Sequence, residues 1–187
     1  WEIYLRSFNN ISLIGEKLLK VGEKYGLKIT GTPVFRARRI EAGLLSAGCD
    51  FDRTTTPFEV GLARFVDMNK NDFVGKKSLN KSCRKSRLWG MRVRSGISQK
   101  GRSILQAGKE VGIVTSSTWS PYQECGVAIV RMDFSINVKS GLELEAIGLD
   151  GNLYYAQICE LPMYDPKGEI VRGINRKTPT EPSPWLG

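Results

Sequence analysis

Asp50 and Asp52, in the stretch "GCDFD", are the residues of this chain that most invite an acidic catalytic or metal reading. They stand between a basic segment carrying Arg38, Arg39 and Glu41 and a helix-start pattern at Thr56. Two readings compete: an acidic site, and a folded junction beside a site built elsewhere. A calcium cage takes about six to eight oxygen ligands, and two carboxylates in a loop with no further ligands near are too few. No metal site is therefore expected, and the junction reading is preferred. The chain has no histidine. That excludes Ser-His-Asp and Cys-His nucleophile systems within the chain, and histidine-ligated zinc or iron. Acid–base chemistry would have to use carboxylates, tyrosine, lysine or cysteine. The cysteines at 49, 83, 125 and 159 form no Cys-x-x-Cys pair and follow no secretory leader, so they read as reduced, buried thiols of a cytoplasmic protein.

The other chemical signal is charge. The chain carries 28 Lys and Arg against 19 Asp and Glu, a net of +9. Ten of the basic residues lie between Lys76 and Arg102 with no acid among them, and the rest of the chain is nearly neutral. So one-sided a block suits an anionic partner, either nucleic acid or a polyanionic small molecule. It equally suits a solvated helix face followed by a strand edge kept soluble by charge.

The 187 residues suit one domain or two small ones, with 41% hydrophobic residues to fill cores and no run long enough for a membrane span. Residues 2–6 alternate as a short strand does. Ile11, Ile14, Leu18, Val21 and Tyr25 form one helical stripe, capped from Asn9, Asn10 or Ser12 and ended by Gly26. Residues 27–30 read as a strand, and Pro33 opens a helix through Leu45. Thr56-Pro57-Phe58-Glu59 is a capping box with Pro at the first helical position, which predicts a helix with a Phe58, Leu62, Phe65 stripe. Asp72 is expected to cap a basic helix through Lys85. Beyond residue 86 the pattern changes to alternating strands: "RLWGMRVR", two strands joined at Ala107-Gly108, "ECGVAIVRM", and a hairpin turning at Asp150-Gly151. The expected fold class is α+β: a partial α+β domain over 1–85, a small antiparallel β-barrel over 86–165, and an extended tail over 166–187. Two strands are too few to cover three helices, and the chain starts without Met, so the remaining strands are expected upstream.

Four stretches in order carry a resemblance: "RRIEAGL" (38–44), "TTPFEVGLARFV" (55–66), "DFVGKKSL" (72–79) and "KEVGIVTSSTWSP" (109–121). Together they resemble the folate-dependent aminomethyltransferases, the glycine-cleavage T-protein family, over residues 1 to about 165. "GCDFDRTTTPFEVGL" is also similar to the demethylases and the dimethylglycine or sarcosine dehydrogenases that share the fold. The resemblance implies tetrahydrofolate as cofactor and an amine or sulfonium one-carbon donor as substrate. It implies that Glu2 holds the pterin ring, since a carboxylate accepts two adjacent N–H donors in parallel. Tyr4, two residues on, shares that strand face. The family's Ala-Arg-Asp arginine falls on Phe35, which leaves Arg36 beside it as the ligand-contacting candidate and the donor open. Arg39 and Glu41 are expected to pair structurally on their helix. Trp119 either borders a cleft or fills the barrel mouth.

The family's catalytic aspartate is expected upstream of this chain, so no catalytic residue is assigned here and the upstream half of the same protein is an expected partner. The basic segment 76–102 would attract a polyglutamyl folate tail. Two rivals remain: an RNA-binding or folate-dependent RNA-modifying protein, with Trp89 or Trp119 stacking bases, and a noncatalytic folate-binding domain of a dehydrogenase. The basic block spans a helix and a strand with few interleaved aromatics, so nucleic acid is the disfavoured partner, and no membrane partner is expected.

Overall fold

A computed structural model describes residues 3–82, 85–177 and 179–187. The chain forms two compact units, Trp1–Val34 and Phe35–Gly187. In the first, a short 3-10 turn, Phe8–Asn10, is capped by Ser7, whose Oγ accepts from Asn9 N at 3.3 Å. Helix α1, Ile11–Gly22, follows, and a second 3-10 turn runs to Gly26, whose φ of 70° is the left-handed stop a glycine adopts freely. The apolar stripe is present on α1, yet the helix buries none of its residues. The strands expected at 2–6 and 27–30 do not form among the described residues. A strand is stable only when its N–H and C=O groups find a ladder, and neither segment has one.

The second unit takes up helix α2, Thr32–Glu41, from Phe35 onward. Its end falls short of Leu45 because Gly43 turns left-handed (φ 66°). Leu44 N bonds Arg39 O and Gly43 N bonds Ile40 O, the paired bonds of a Schellman stop.

The strands are β1 (Ser86–Val93), β2 (Ser103–Gln106), β3 (Lys109–Ser120), β4 (Cys125–Asp133), β5 (Glu143–Ile147) and β6 (Leu153–Cys159). They close an antiparallel barrel in the order β1-β4-β3-β2-β5-β6, with β6 pairing back to β1. Closure leaves no edge to protect. One residue set faces the barrel interior, including Met91, Ile104, Val130, Ala146 and Ile158, all fully buried. Strand β4 is apolar on both faces. Ala128, Val130 and Met132 point inward, while Cys125, Val127 and Ile129 cluster outside with Ile40 of α2. That two-sided burial explains why "CGVAIV" reads as a continuous apolar run rather than an alternation. Gly126 is obligatory there, because a Cβ would lie 2.1 Å from Gly96 O.

The helix expected after Thr56 is absent. The capping box itself forms: Thr56 N and Oγ1 donate to Glu59 Oε2 at 3.0 and 2.9 Å, and Glu59 N donates to Thr56 Oγ1 at 3.4 Å. Propagation then fails at Gly61 (φ 75°), and the chain passes through turns into a 3-10 turn at Ala63–Phe65. Glu59 Oε1 instead accepts from Lys85 N and Ser86 Oγ, so the box clasps the start of β1. Helix α3 is only Lys76–Lys81, started by left-handed Gly75 (φ 93°) rather than by Asp72. Among the described residues the segment after Pro162 carries no helix or strand, but it is anchored: Met163 N and Tyr164 N bond Glu41 O, and Trp185 stacks on Tyr155 at 6.2 Å.

Candidate functional site

Strand β3 carries a row of hydroxyls, Thr115 to Thr118, interrupted by a register shift between Val114 and Ser116. A bulge inserts one residue and re-aims its side chain. Here Thr115 is buried against the junction, where Oγ1 donates to Asp50 Oδ1 at 2.6 Å. Asp50 is fully buried and wholly committed. Its Oδ2 also accepts from Ser46 N at 2.8 Å and from Arg39 Nη1 at 2.9 Å. Arg39 also donates from Nη1 to Leu44 O and from Nη2 to Ser116 Oγ. One expectation is corrected. Arg39 and Glu41 do not pair with each other, since they lie on different sides of α2. Glu41 instead takes Arg38 Nη1 at 2.7 Å and the Ser120 hydroxyl. Asp52 is exposed, its carboxyl held below the usual range by the Thr54 hydroxyl and backbone N–H. Asp50 and Asp52 therefore form a junction, with one residue inside and one outside.

Beside this junction lies a cavity of about 390 Å³, walled by Arg36, Arg39, Cys49, Lys100 and the β3 hydroxyl row. Its three cations differ in what they have left to offer. Arg39 has its charge paired with the buried Asp50. Lys100 Nζ donates to Gly48 O at 2.9 Å and Cys49 Sγ at 3.4 Å, which leaves donor capacity. Arg36 is exposed and makes no ion pair among the described residues. The arrangement can grip carboxylates: a guanidinium fork, an ammonium and hydroxyl donors stand together with no acid free to neutralise them. It is a binding arrangement. Among the described residues, no three His, Cys, Asp or Glu side chains cluster as metal ligands would.

Of the residues singled out from sequence, Arg36 lines this cavity. Trp119 does not. It is 38% exposed near the end of β3 and borders a neighbouring hollow of about 340 Å³, which shares Ile97 and Leu149 with the first. Tyr4 lies in the first unit and is exposed, and Glu2 lies outside the described residues. Lys100 was legible only as one member of the basic block. Cys49 carried no signal of its own, and the Ser116–Thr118 hydroxyls entered only as part of the 109–121 stretch. The block itself is dispersed: Arg87 lies over Trp89 and Arg94 over Tyr155, at 4.9 and 4.7 Å. The buried thiols of Cys125 and Cys159 are pushed up to about 11 by burial, with the nearby Arg92 charge opposing, so they are protonated at neutral pH and inert.

Residues 1–70 match the GCVT N-terminal domain and residues 86–165 match the glycine cleavage T-protein C-terminal barrel domain. The chain belongs to the glycine cleavage T-protein family. An aminomethyltransferase of Pseudothermotoga lettingae is 33% identical over 168 residues, covering 88% of this chain and 45% of that protein. One from Thermotoga neapolitana is 36% identical over 163 residues, covering 85% and 43%. The crystal structure of the glycine cleavage system aminomethyltransferase T from Bartonella henselae superposes with a TM-score of 0.70 at 25% identity, over 83% of this chain and 44% of that one. The chain thus spans a little under half the length of the relatives it matches. No helix among the described residues is long and apolar enough to cross a membrane.

Proposed function

We propose that this chain is the barrel-bearing part of a tetrahydrofolate-dependent one-carbon transferase. The observation that carries the reading is the cavity in which Arg36 and Lys100 remain available to carboxylates, in a chain of this family. The donor set fits a folate. The glutamyl carboxylates of the cofactor suit Arg36 and Lys100, and Ser116 to Thr118 offer hydroxyls along the wall. A pterin edge asks for a carboxylate accepting two N–H bonds, and Asp50 does not serve because it is fully buried and already accepts from three donors. That role falls to Glu2 by family resemblance, with Tyr4 on the same stretch. When bound, tetrahydrofolate supplies N5 as the atom that takes the one-carbon unit from an amine or sulfonium donor.

The contribution of this chain's own residues is positioning. Arg36 and Lys100 fix the acidic end of the cofactor. The Arg39–Asp50–Thr115 connection holds α2 to the bulge of β3, so that the cation on α2 and the cation near β2 keep a constant spacing. Orientation of this kind lowers a barrier without any nucleophile in the chain. Turnover by relatives twice as long draws on residues outside this one, so the isolated 187-residue chain is expected to bind the cofactor and not to turn over. The test is calorimetric titration of tetrahydrofolate with one and with three glutamyl groups. Tighter binding of the triglutamate, weakening as salt rises, supports the reading. Equal affinities, or none, contradict it.

A further inference from the structure

A second cavity, of about 480 Å³, lies where the C-terminal segment crosses the barrel, and it shares no residue with the Arg36–Lys100 cavity. Its wall contains Gln123, which is only 5% exposed. Gln123 Oε1 accepts from Arg92 Nε at 2.6 Å, and this fixes the amide so that Nε2 faces away from the guanidinium. Nε2 has no hydrogen-bond partner. Buried amide donors are almost always paired, and an unpaired one is costly. Arg92, in the same wall, makes that one hydrogen bond and no ion pair among the described residues. Two residues of this wall thus hold donors for which the described residues provide no acceptor.

The surroundings say what kind of acceptor. Tyr122 and Tyr164 meet edge to face at 5.3 Å, and Trp185 and Met163 complete an apolar wall. The Arg38 guanidinium, ion-paired with Glu41, stands 5.7 and 5.6 Å from the two tyrosine rings. The one acid in the wall, Asp165, is spent on the backbone, accepting from Glu169 N at 2.8 Å and Ile170 N at 3.0 Å, with Val171 N at 3.4 Å. The position of Gln123 is fixed from three sides. Its N–H donates to Ser120 Oγ at 2.9 Å, its carbonyl accepts from Trp185 N at 2.8 Å, and Ser183 N holds the adjacent Tyr122 O at 2.7 Å. The cavity lies within the size range of small-molecule sites.

We propose that this cavity binds a small carboxylate with an aromatic body, its oxygens accepting from the free N–H groups of Arg92 and from Gln123 Nε2. A carboxylate satisfies both donors at once, and an arginine fork favours it over a neutral acceptor. The ring packs against Tyr122, Tyr164 and Trp185. This inference does not rest on the folate reading.

The probe is benzoate, titrated into the full chain by NMR, with acetate, benzamide and benzyl alcohol as comparators. Benzoate is expected to bind saturably, at least tenfold more tightly than each comparator. Arg92→Met and Gln123→Glu should each weaken it at least tenfold, the second by setting a carboxylate against the ligand without changing side-chain size. Lys139→Ala, an exposed charge loss elsewhere, should leave it unchanged. Benzoate binding no better than benzamide, binding that survives Gln123→Glu, or no binding with only ordered water at Nε2 would overturn the proposal.

Discussion

Every strand of the barrel finds both of its neighbours within the chain, whereas α1 carries an apolar stripe of comparable regularity and buries none of it. The difference lies in where stability comes from. A closed barrel satisfies its backbone and its interior from residues close in sequence: β2 and β3 join through a two-residue turn, and β5 and β6 through the Asp150–Gly151 turn. An amphipathic helix settles only half the question, because most helical stability comes from what packs on its apolar face. Barrel side chains should therefore carry large energies and α1 side chains small ones.

The sharpest test of that contrast is the buried hub that ties α2 to the barrel. Asp50→Asn leaves the Arg39 guanidinium, with 15% of its side chain exposed, without its countercharge. A loss of about 3–5 kcal/mol in urea-unfolding free energy is expected. In the barrel interior, Ile104→Ala should cost about 3 kcal/mol. Leu18→Ala on α1, at 45% exposed, should cost less than about 0.5 kcal/mol. Equal costs for Ile104→Ala and Leu18→Ala would dissolve the comparison. Glu59 gives a smaller effect with a pH signature. Burial pushes its carboxyl up, but the hydrogen bonds from Thr56, Lys85 and Ser86 outweigh it and hold the group below its ordinary value. A depressed carboxyl contributes stability that is present above its unfolded pKa and lost as pH falls through the folded one. Glu59→Gln, whose amide can accept on one side only, should cost about 1–3 kcal/mol at neutral pH. It should also flatten the acid limb of the stability curve below the ordinary glutamate range.

The barrel was legible in the sequence because its rules are local. Alternation and turn residues placed all six strands, and β4, apolar on both faces, differs only in being covered by α2. The segment before it was legible in its signals and not in their outcome. Thr56-Pro57-Phe58-Glu59 forms the capping box it predicts, yet Gly61 cuts the helix and Glu59 turns to β1, a partner 26 residues away. Gly43 and Gly75 likewise set boundaries that periodicity alone ran past. The site was legible through Arg36 and, loosely, through the basic block. It was not legible in Asp50, because no pattern tells a buried aspartate paired with Arg39 from an exposed one. Nor was it legible in Thr115, whose orientation depends on a bulge. Gln123 was invisible, since its significance lies in a partner it lacks.

Arg36 and Arg39 are three residues apart on one helix, and under the proposed function they do opposite work: Arg39 would hold the fold and Arg36 the ligand. The direct measurement is calorimetric titration of tetrahydrofolate triglutamate into the wild-type chain and Arg36→Ala, with melting temperatures recorded alongside. Loss of one charge-assisted grip of about 1.5–3 kcal/mol corresponds to roughly a ten- to hundredfold drop in affinity. The predicted result is that drop with an unchanged melting temperature, because Arg36 makes no ion pair among the described residues. Unchanged affinity in Arg36→Ala, whatever the melting temperature, would contradict the assignment of this cavity to the cofactor.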